Sequence, residues 1–133
     1  MQIKEYKSPS ATELQPVFRA HAELCQALAN EHRLAILHAL SQGEKCVSDI
    51  AAEIDISVHN VSQHLRLLKE RGLVASRKEA QTVYYSITNF KFIQACTLIR
   101  QALIEQHQAQ GQSLLAADHL AVFQNMPLPM PPE

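Results

Sequence analysis

Apolar residues recur at helical spacing from the start of the chain. Leu14, Val17 with Phe18, Leu24 with Cys25, and Leu28 predict a helix from about Ala11 to Leu28, with Ser10 or Thr12 as its cap. Asn30, with Arg33 three residues on, opens a second helix in which Leu34, Leu37 and Leu40 repeat until Gln42-Gly43 stops it. Val47, Ile50, Ala51 and Ile54 predict a short third helix. Only Asp55-Ile56 separates it from Ser57, the cap of a fourth helix from about Val58 to Arg71, so these two helices must cross steeply. In the fourth helix Val61, Leu65 and Leu68 share one face; His59, Gln63 and Arg66 point the opposite way, with Ser62 beside them.

After Gly72 and Leu73-Val74 the period shortens to two. Residues 75–78 and 82–87 flank Glu79-Ala80-Gln81, which predicts a two-stranded hairpin, and Val and Tyr suit its strands. A fifth helix is expected from about Phe90 to Gln110. Its Phe92, Cys96, Ile99 and Leu103 form one apolar line beside Ala95, Leu98 and Ala102, more apolar surface than a hairpin and three short helices would bury. Residues 113–123 are expected to extend this helix past Gly111. Four of the six prolines fall in residues 126–133, which predicts a disordered tail. The organisation read from these patterns is an N-terminal arm over 1–10, one domain over 11–110, and a helical extension with a proline-rich tail over 111–133.

Helix, tight turn, helix, hairpin is the order of a winged helix-turn-helix: mainly α with a small β-hairpin wing, ααααββα. Ala51 is small enough for the next helix to pack against it, and Asp55 falls where the turn needs a left-handed backbone. Ser57 then caps a helix whose N-terminal half can enter the DNA major groove, about 12 Å wide. Ser57, His59, Asn60, Ser62, Gln63, His64 and Arg66 are the candidate base-facing residues, Gln63 and Arg66 foremost. Asn and Gln can bond adenine in pairs, each discriminating by about 1–3 kcal/mol. Arg66, Lys69, Arg71, Arg77 and Lys78 suit phosphates, which position a protein without reading sequence. An ordinary surface helix would carry a similar polar face; the hairpin that follows counts against that reading.

Composition sharpens the picture in two places. Hydrophobic residues make up 47% and charged residues 19%, a globular balance, and aromatics are 5% with no Trp, so the core is built from Leu, Ile, Val and Ala. The net charge of −1 gives no sign of a nucleic-acid partner, yet residues 57–79 hold five Lys/Arg against two Asp/Glu, whereas residues 1–56 hold five against eight. The chain has no apolar run of the ~18 residues a membrane span needs and no signal-peptide pattern at its start, so a cytoplasmic protein without a membrane partner is expected. Cys25, Cys46 and Cys96, three and widely spaced, argue against a secreted disulfide framework and leave reduced thiols.

The runs Leu28-Ala29-Asn30-Glu31-His32-Arg33-Leu34-Ala35-Ile36-Leu37 and Ser57-Val58-His59-Asn60-Val61-Ser62-Gln63-His64-Leu65-Arg66-Leu67-Leu68, followed by Arg71-Gly72-Leu73-Val74 and Val83-Tyr84-Tyr85, resemble the ArsR/SmtB family of bacterial repressors over about residues 24–108. The resemblance implies a homodimer formed by the first and last helices and recognition helices reading a palindromic double-stranded DNA operator. It also implies derepression when an effector binds or a cysteine pair is oxidised. Ala80 stands where the family usually has Gly at the wing tip, and Gln81 where it often has Arg, which weakens the expected wing contacts.

Against the family's effector classes, the chain offers little to a metal. Around the third helix Cys46 alone matches a metalloid site, with Ser48 and Ala51 where further thiols would stand. On the fifth helix His107 alone is present of the ligands a zinc sensor needs. Thiol chemistry among Cys25, Cys46 and Cys96 is left, directed at an oxidant, a reactive sulfur species or a soft metalloid held by thiolates; no other cofactor is expected. Cys46 falls near a helix N-terminus, where the dipole favours thiolate, though its reach cannot be read from the sequence; Cys25 and Cys96 lie on helices that should pack together, within one chain or across a dimer, and also fit plain packing roles on apolar stripes. No phosphate loop, nucleophile elbow or carboxylate pair supports an enzyme. The rival to a DNA-binding regulator is a winged helix that binds protein and no DNA.

Overall fold

The computed structural model describes residues 7–133, so the first six positions of the expected arm lie outside the described residues. Helix α1 (Gln15–Leu28) begins four residues later than the apolar spacing predicts. Residues 11–14 form a turn instead, in which the Ser10 hydroxyl accepts the Glu13 amide at 3.2 Å, and Pro16, which has no N–H to lose, fits the first turn of the helix. Helix α2 (Glu31–Leu40) is capped by Asn30, whose Oδ1 accepts the amides of His32 and Arg33 at 2.9 and 3.1 Å. The Arg33 guanidinium then donates to the carbonyls of Ala27 and Gln26, which binds the end of α1 to the start of α2.

Helices α3 (Val47–Ile54) and α4 (Val58–Glu70) follow as the pattern predicts. Asp55 between them takes the left-handed conformation, φ 57° and ψ 49°, and the Ile56 amide returns to the Ala51 carbonyl at 3.3 Å. Ile36, Leu37 and Leu40 of α2 meet Ile50 and Ala51 of α3 and Val61, Leu65 and Leu68 of α4 in one buried cluster. Leu73, Val74 and Ile93 close it from the wing and the last long helix.

The wing is β2 (Val74–Glu79) paired antiparallel with β3 (Thr82–Ile87), Glu79 opposite Thr82. A strand the sequence does not announce, β1 (Lys45–Cys46), adds to the far side of β3, with Lys45 opposite Tyr85 and Cys46 opposite Tyr84, so the sheet order is β1-β3-β2. Two residues are too few for alternation to show. Ala80 at the hairpin tip holds φ 55°, the left-handed region that would favour glycine there.

Helix α5 (Phe90–Ala109) is capped by Asn89. It does not continue past Gly111 as expected. Gly111 takes φ 73° and the Gln112 amide closes back on the His107 carbonyl at 2.8 Å, so the helix stops and a separate α6 (Ala117–Gln124) follows. The proline-rich residues 126–133 have no regular structure, yet Leu128 and Pro129 are half-buried and the Pro129 carbonyl accepts the Gln94 side-chain amide at 2.9 Å. The expectation of a disordered tail is corrected to that extent. Relative to the expected ααααββα order, the winged helix-turn-helix stands, with β1 and α6 added.

Candidate nucleic-acid interface and thiol pair

The short polar face on α4 is set by its buried side. Val61, Leu65 and Leu68 are fully buried, and the Ser57 hydroxyl caps the helix by accepting the Asn60 amide at 3.1 Å. His59, Asn60, Ser62, Gln63 and Arg66 are all left exposed on the other side. Among the described residues Arg66 is the most open of the basic residues in an ion pair, its side chain 76% accessible and paired with Glu70 one turn on. His64 does not belong to this outer face. It is half-buried on the flank towards α2, its ring 5.8 Å from that of His32, and its imidazole is held below the ordinary value by desolvation, then by the charges of Arg33 and His32.

The remaining basic candidates divide. Lys69 donates to the Ser76 hydroxyl at 2.7 Å, joining the end of α4 to β2, and stays exposed. Lys78 is exposed on the wing. Arg77, in contrast, is engaged on three sides. It forks onto the Glu44 carboxylate, donates to Glu79 at 2.8 Å and lies 4.9 Å above the Tyr84 ring. Hydrogen bonding from Arg77 holds the Glu44 carboxyl below its ordinary value. Glu44 was not legible as a wing partner, because it lies 33 residues from Arg77 in sequence and comes beside it only through the β1–β3 pairing.

The cysteines divide into a pair that shares a pocket and one that stands apart. Cys25 is exposed on α1 and Cys96 is buried on α5, and both line one pocket of about 270 Å³ with Leu34, Ile99, Arg100 and Leu103. Burial pushes the Cys96 thiol up; Arg100 opposes this and Cys25 adds to it. Cys46 does not line that pocket. It sits in β1 at the start of α3, its sulfur 3.3 Å from the Ser48 hydroxyl. Among the described residues of the single chain no three His, Cys, Asp or Glu side chains converge as a metal site.

A second unburied apolar face runs along α1 and α5. Val17, Phe18, Leu98, Ile99 and Leu103 are each roughly half exposed. The expected line of Phe92, Cys96, Ile99 and Leu103 is in fact shared between two sides of α5, with Cys96 in the interior beside Ile93 and Thr97, and Ile99 and Leu103 outside. Among the described residues no helix is long and apolar enough to cross a membrane.

This fold, with a capped polar helix beside a small wing, defines the class of winged helix-turn-helix transcriptional regulators, which are not enzymes. A family model for bacterial regulatory proteins of the arsR family matches residues 30–76. The transcriptional activator HlyU of Vibrio cholerae is 36% identical over 85 residues, covering 64% of this chain and 79% of that protein. The chain belongs to the arsR family. The cadmium resistance transcriptional regulatory protein CadC of Listeria innocua is 49% identical over 67 residues, 50% of this chain, and the match spans little more than half, 56%, of CadC. Among solved structures, the homodimeric winged helix-turn-helix DNA-binding domain Mb0332 from Mycobacterium bovis is similar with a TM-score of 0.61 and 31% identity, over 76% of this chain and 93% of that one.

Proposed function

We propose that this protein is a homodimeric, sequence-specific DNA-binding repressor that leaves its operator when Cys25 and Cys96 are oxidised. The observation that carries the DNA half is the polar face of α4, Ser57 to Arg66, held outward by a fully buried opposite side. Gln63 and Asn60 read adenine edges; Arg66 reads guanine or grips phosphate; Ser57, His59 and Ser62 supply shorter contacts. Lys69 and Lys78 hold phosphates. Arg77 contributes only when it exchanges Glu44 for a phosphate. The exposed α1 and α5 face is where two copies join, as the homodimeric Mb0332 domain supports. The dimer sets two α4 helices into grooves about 34 Å apart, one helical turn.

The thiol half rests on the shared pocket. The exposed Cys25 sulfur, giving up its proton as it reacts, attacks hydrogen peroxide and breaks the O–O bond to give a sulfenic acid and hydroxide, which takes up that proton as the first water. The Cys96 thiol then displaces the hydroxyl as a second water and forms the disulfide, so the two thiols supply the two electrons that the peroxide takes up. Both cysteines lie on the elements that pair the subunits, so the new bond strains the dimer geometry on which groove spacing depends. Metalloid binding is not part of the proposal.

The test recovers an operator from genomic fragments with reduced protein, then follows release by hydrogen peroxide, persulfide and arsenite. Wild type and Cys46→Ser are expected to release on peroxide, whereas Cys25→Ser and Cys96→Ser stay bound. Equal release from all four proteins, or release only by arsenite, refutes the thiol assignment. A promoter fused to a reporter separates repression from activation: deleting the protein raises the signal of a repressed promoter and lowers that of an activated one.

A further inference from the structure

Between α2, α5 and the segment that carries α6 lies a pocket of about 430 Å³, separate in its lining from the α4 face. Leu34, Ala35, Ile104, Leu115 and Phe123 give it apolar walls, with two polar side chains, Arg100 and His38, set among them. Its size is at the small end of the roughly 300–1,000 Å³ usual for ligand sites. Leu114, Leu115 and Phe123 form its outer wall, and the Gln124 side-chain amide, next to Phe123, bonds to Gln108 on α5 at 2.9 Å.

Arg100 gives the pocket its chemistry. It is half-buried on an apolar stretch of α5, it has no carboxylate partner among the described residues, and the Thr97 hydroxyl at 3.4 Å is its one side-chain acceptor there. Guanidinium groups removed from water are normally paired, and a planar fork with free N–H donors matches a carboxylate. We infer that this pocket binds a small apolar carboxylate, its hydrocarbon body against Leu34, Leu115 and Phe123 and its carboxylate on Arg100. His38, beside it, is held below the ordinary imidazole value by desolvation and by the charges of Arg100 and Lys45, against Glu53. Cys25 and Cys96 do not line this pocket, although Leu34, Arg100 and Leu103 line both it and the thiol pocket, so the binding test is made on the reduced protein.

Isothermal titration of the reduced full chain tests it, with sodium octanoate, 1-octanol and octylammonium as probes, all below their aggregation concentrations. Octanoate is expected to bind one per chain, about ten-fold or more tighter than octanol, a factor in the range of one charge-assisted contact. Octylammonium is expected to be weaker still. Arg100→Gln should bring octanoate down to the octanol level, and Phe123→Ala should weaken both. Amide chemical shifts in the wild type provide a readout that needs no variant: octanoate should move residues 100, 115 and 123 and leave residues 59–66 in place. Octanoate binding no tighter than octanol or octylammonium, shifts confined to other residues, or full affinity in a folded Arg100→Gln protein would overturn the assignment.

Discussion

His64 and Gln63 are neighbours in sequence and differ in what they can do. One residue of helix turns the side chain by about 100°, which takes Gln63 into solvent and His64 towards His32. The outer face was legible because a fully buried face defined it by opposition; the flank was not, since its orientation depends on where α2 sits. His64 and His38 both have imidazoles lowered in the folded protein, chiefly by desolvation. The unfolded chain therefore binds more protons below the ordinary value of 6.5, and the stability tied to these groups is present above it and lost as pH falls. Urea unfolding should show lower stability at about pH 5.5 than at about pH 7.5, and His64→Gln should reduce that difference. An unchanged pH dependence in both His64→Gln and His38→Gln would count against these environments. At the wing tip, Ala80 with φ 55° pays the left-handed penalty that glycine avoids. Ala80→Gly should raise the stability by about 0.5 to 1 kcal/mol, the difference between that penalty and glycine's added chain entropy. The same unfolding midpoints measure it, and a loss of stability would contradict it.

Among the elements, those read well from the sequence carry a buried stripe and a chemical stop. Asn30, Ser57, Gly43 and Gly72 mark ends, and Val61, Leu65 and Leu68 mark a face. Strand β1 escaped because it has no such signature and exists through its pairing with β3; α6 was read as helix but as a continuation of α5, since it has no buried residue of its own to mark a separate element. Helix α5 was legible as a helix but not in its division of labour. Ile93, Cys96, Thr97 and Ile104 serve the interior, whereas Leu98, Ile99 and Leu103 remain outside, and a helix apolar nearly all round does not say which side meets what. Cys25 and Cys96 lie on two helices expected to pack together, and they share a pocket; where Cys46 sits relative to them was not legible, because β1 exists through its pairing with β3. A charge in the middle of the outer face tests its role as the subunit contact. Ile99→Asp should turn the dimer into a monomer in sedimentation while leaving the helical circular dichroism near wild type, since Ile99 is 58% exposed in the single chain. A dimer of unchanged strength would place the contact elsewhere.

At the scale of the molecule, a nearly neutral chain concentrates positive charge in the segment that holds α4 and the wing, and a twofold assembly would double that surface. Arg77 is withheld from it by Glu44 and Glu79, so in the proposed DNA complex the phosphate grip falls chiefly to Arg66, Lys69 and Lys78. The proposed complex separates a contact that reads bases from contacts that only hold the backbone, and the two would respond differently to salt and to sequence. Fluorescence anisotropy of the reduced protein, titrated onto the recovered operator and onto a scrambled duplex at increasing salt, measures both at once. The wild type should prefer the operator and weaken steeply with salt; Gln63→Ala should lose about ten-fold on the operator and little on the scrambled duplex, and Lys69→Ala should weaken both with a shallower salt slope. Operator binding by Gln63→Ala and Arg66→Ala indistinguishable from the wild type, or no duplex binding even at low salt, would contradict the account.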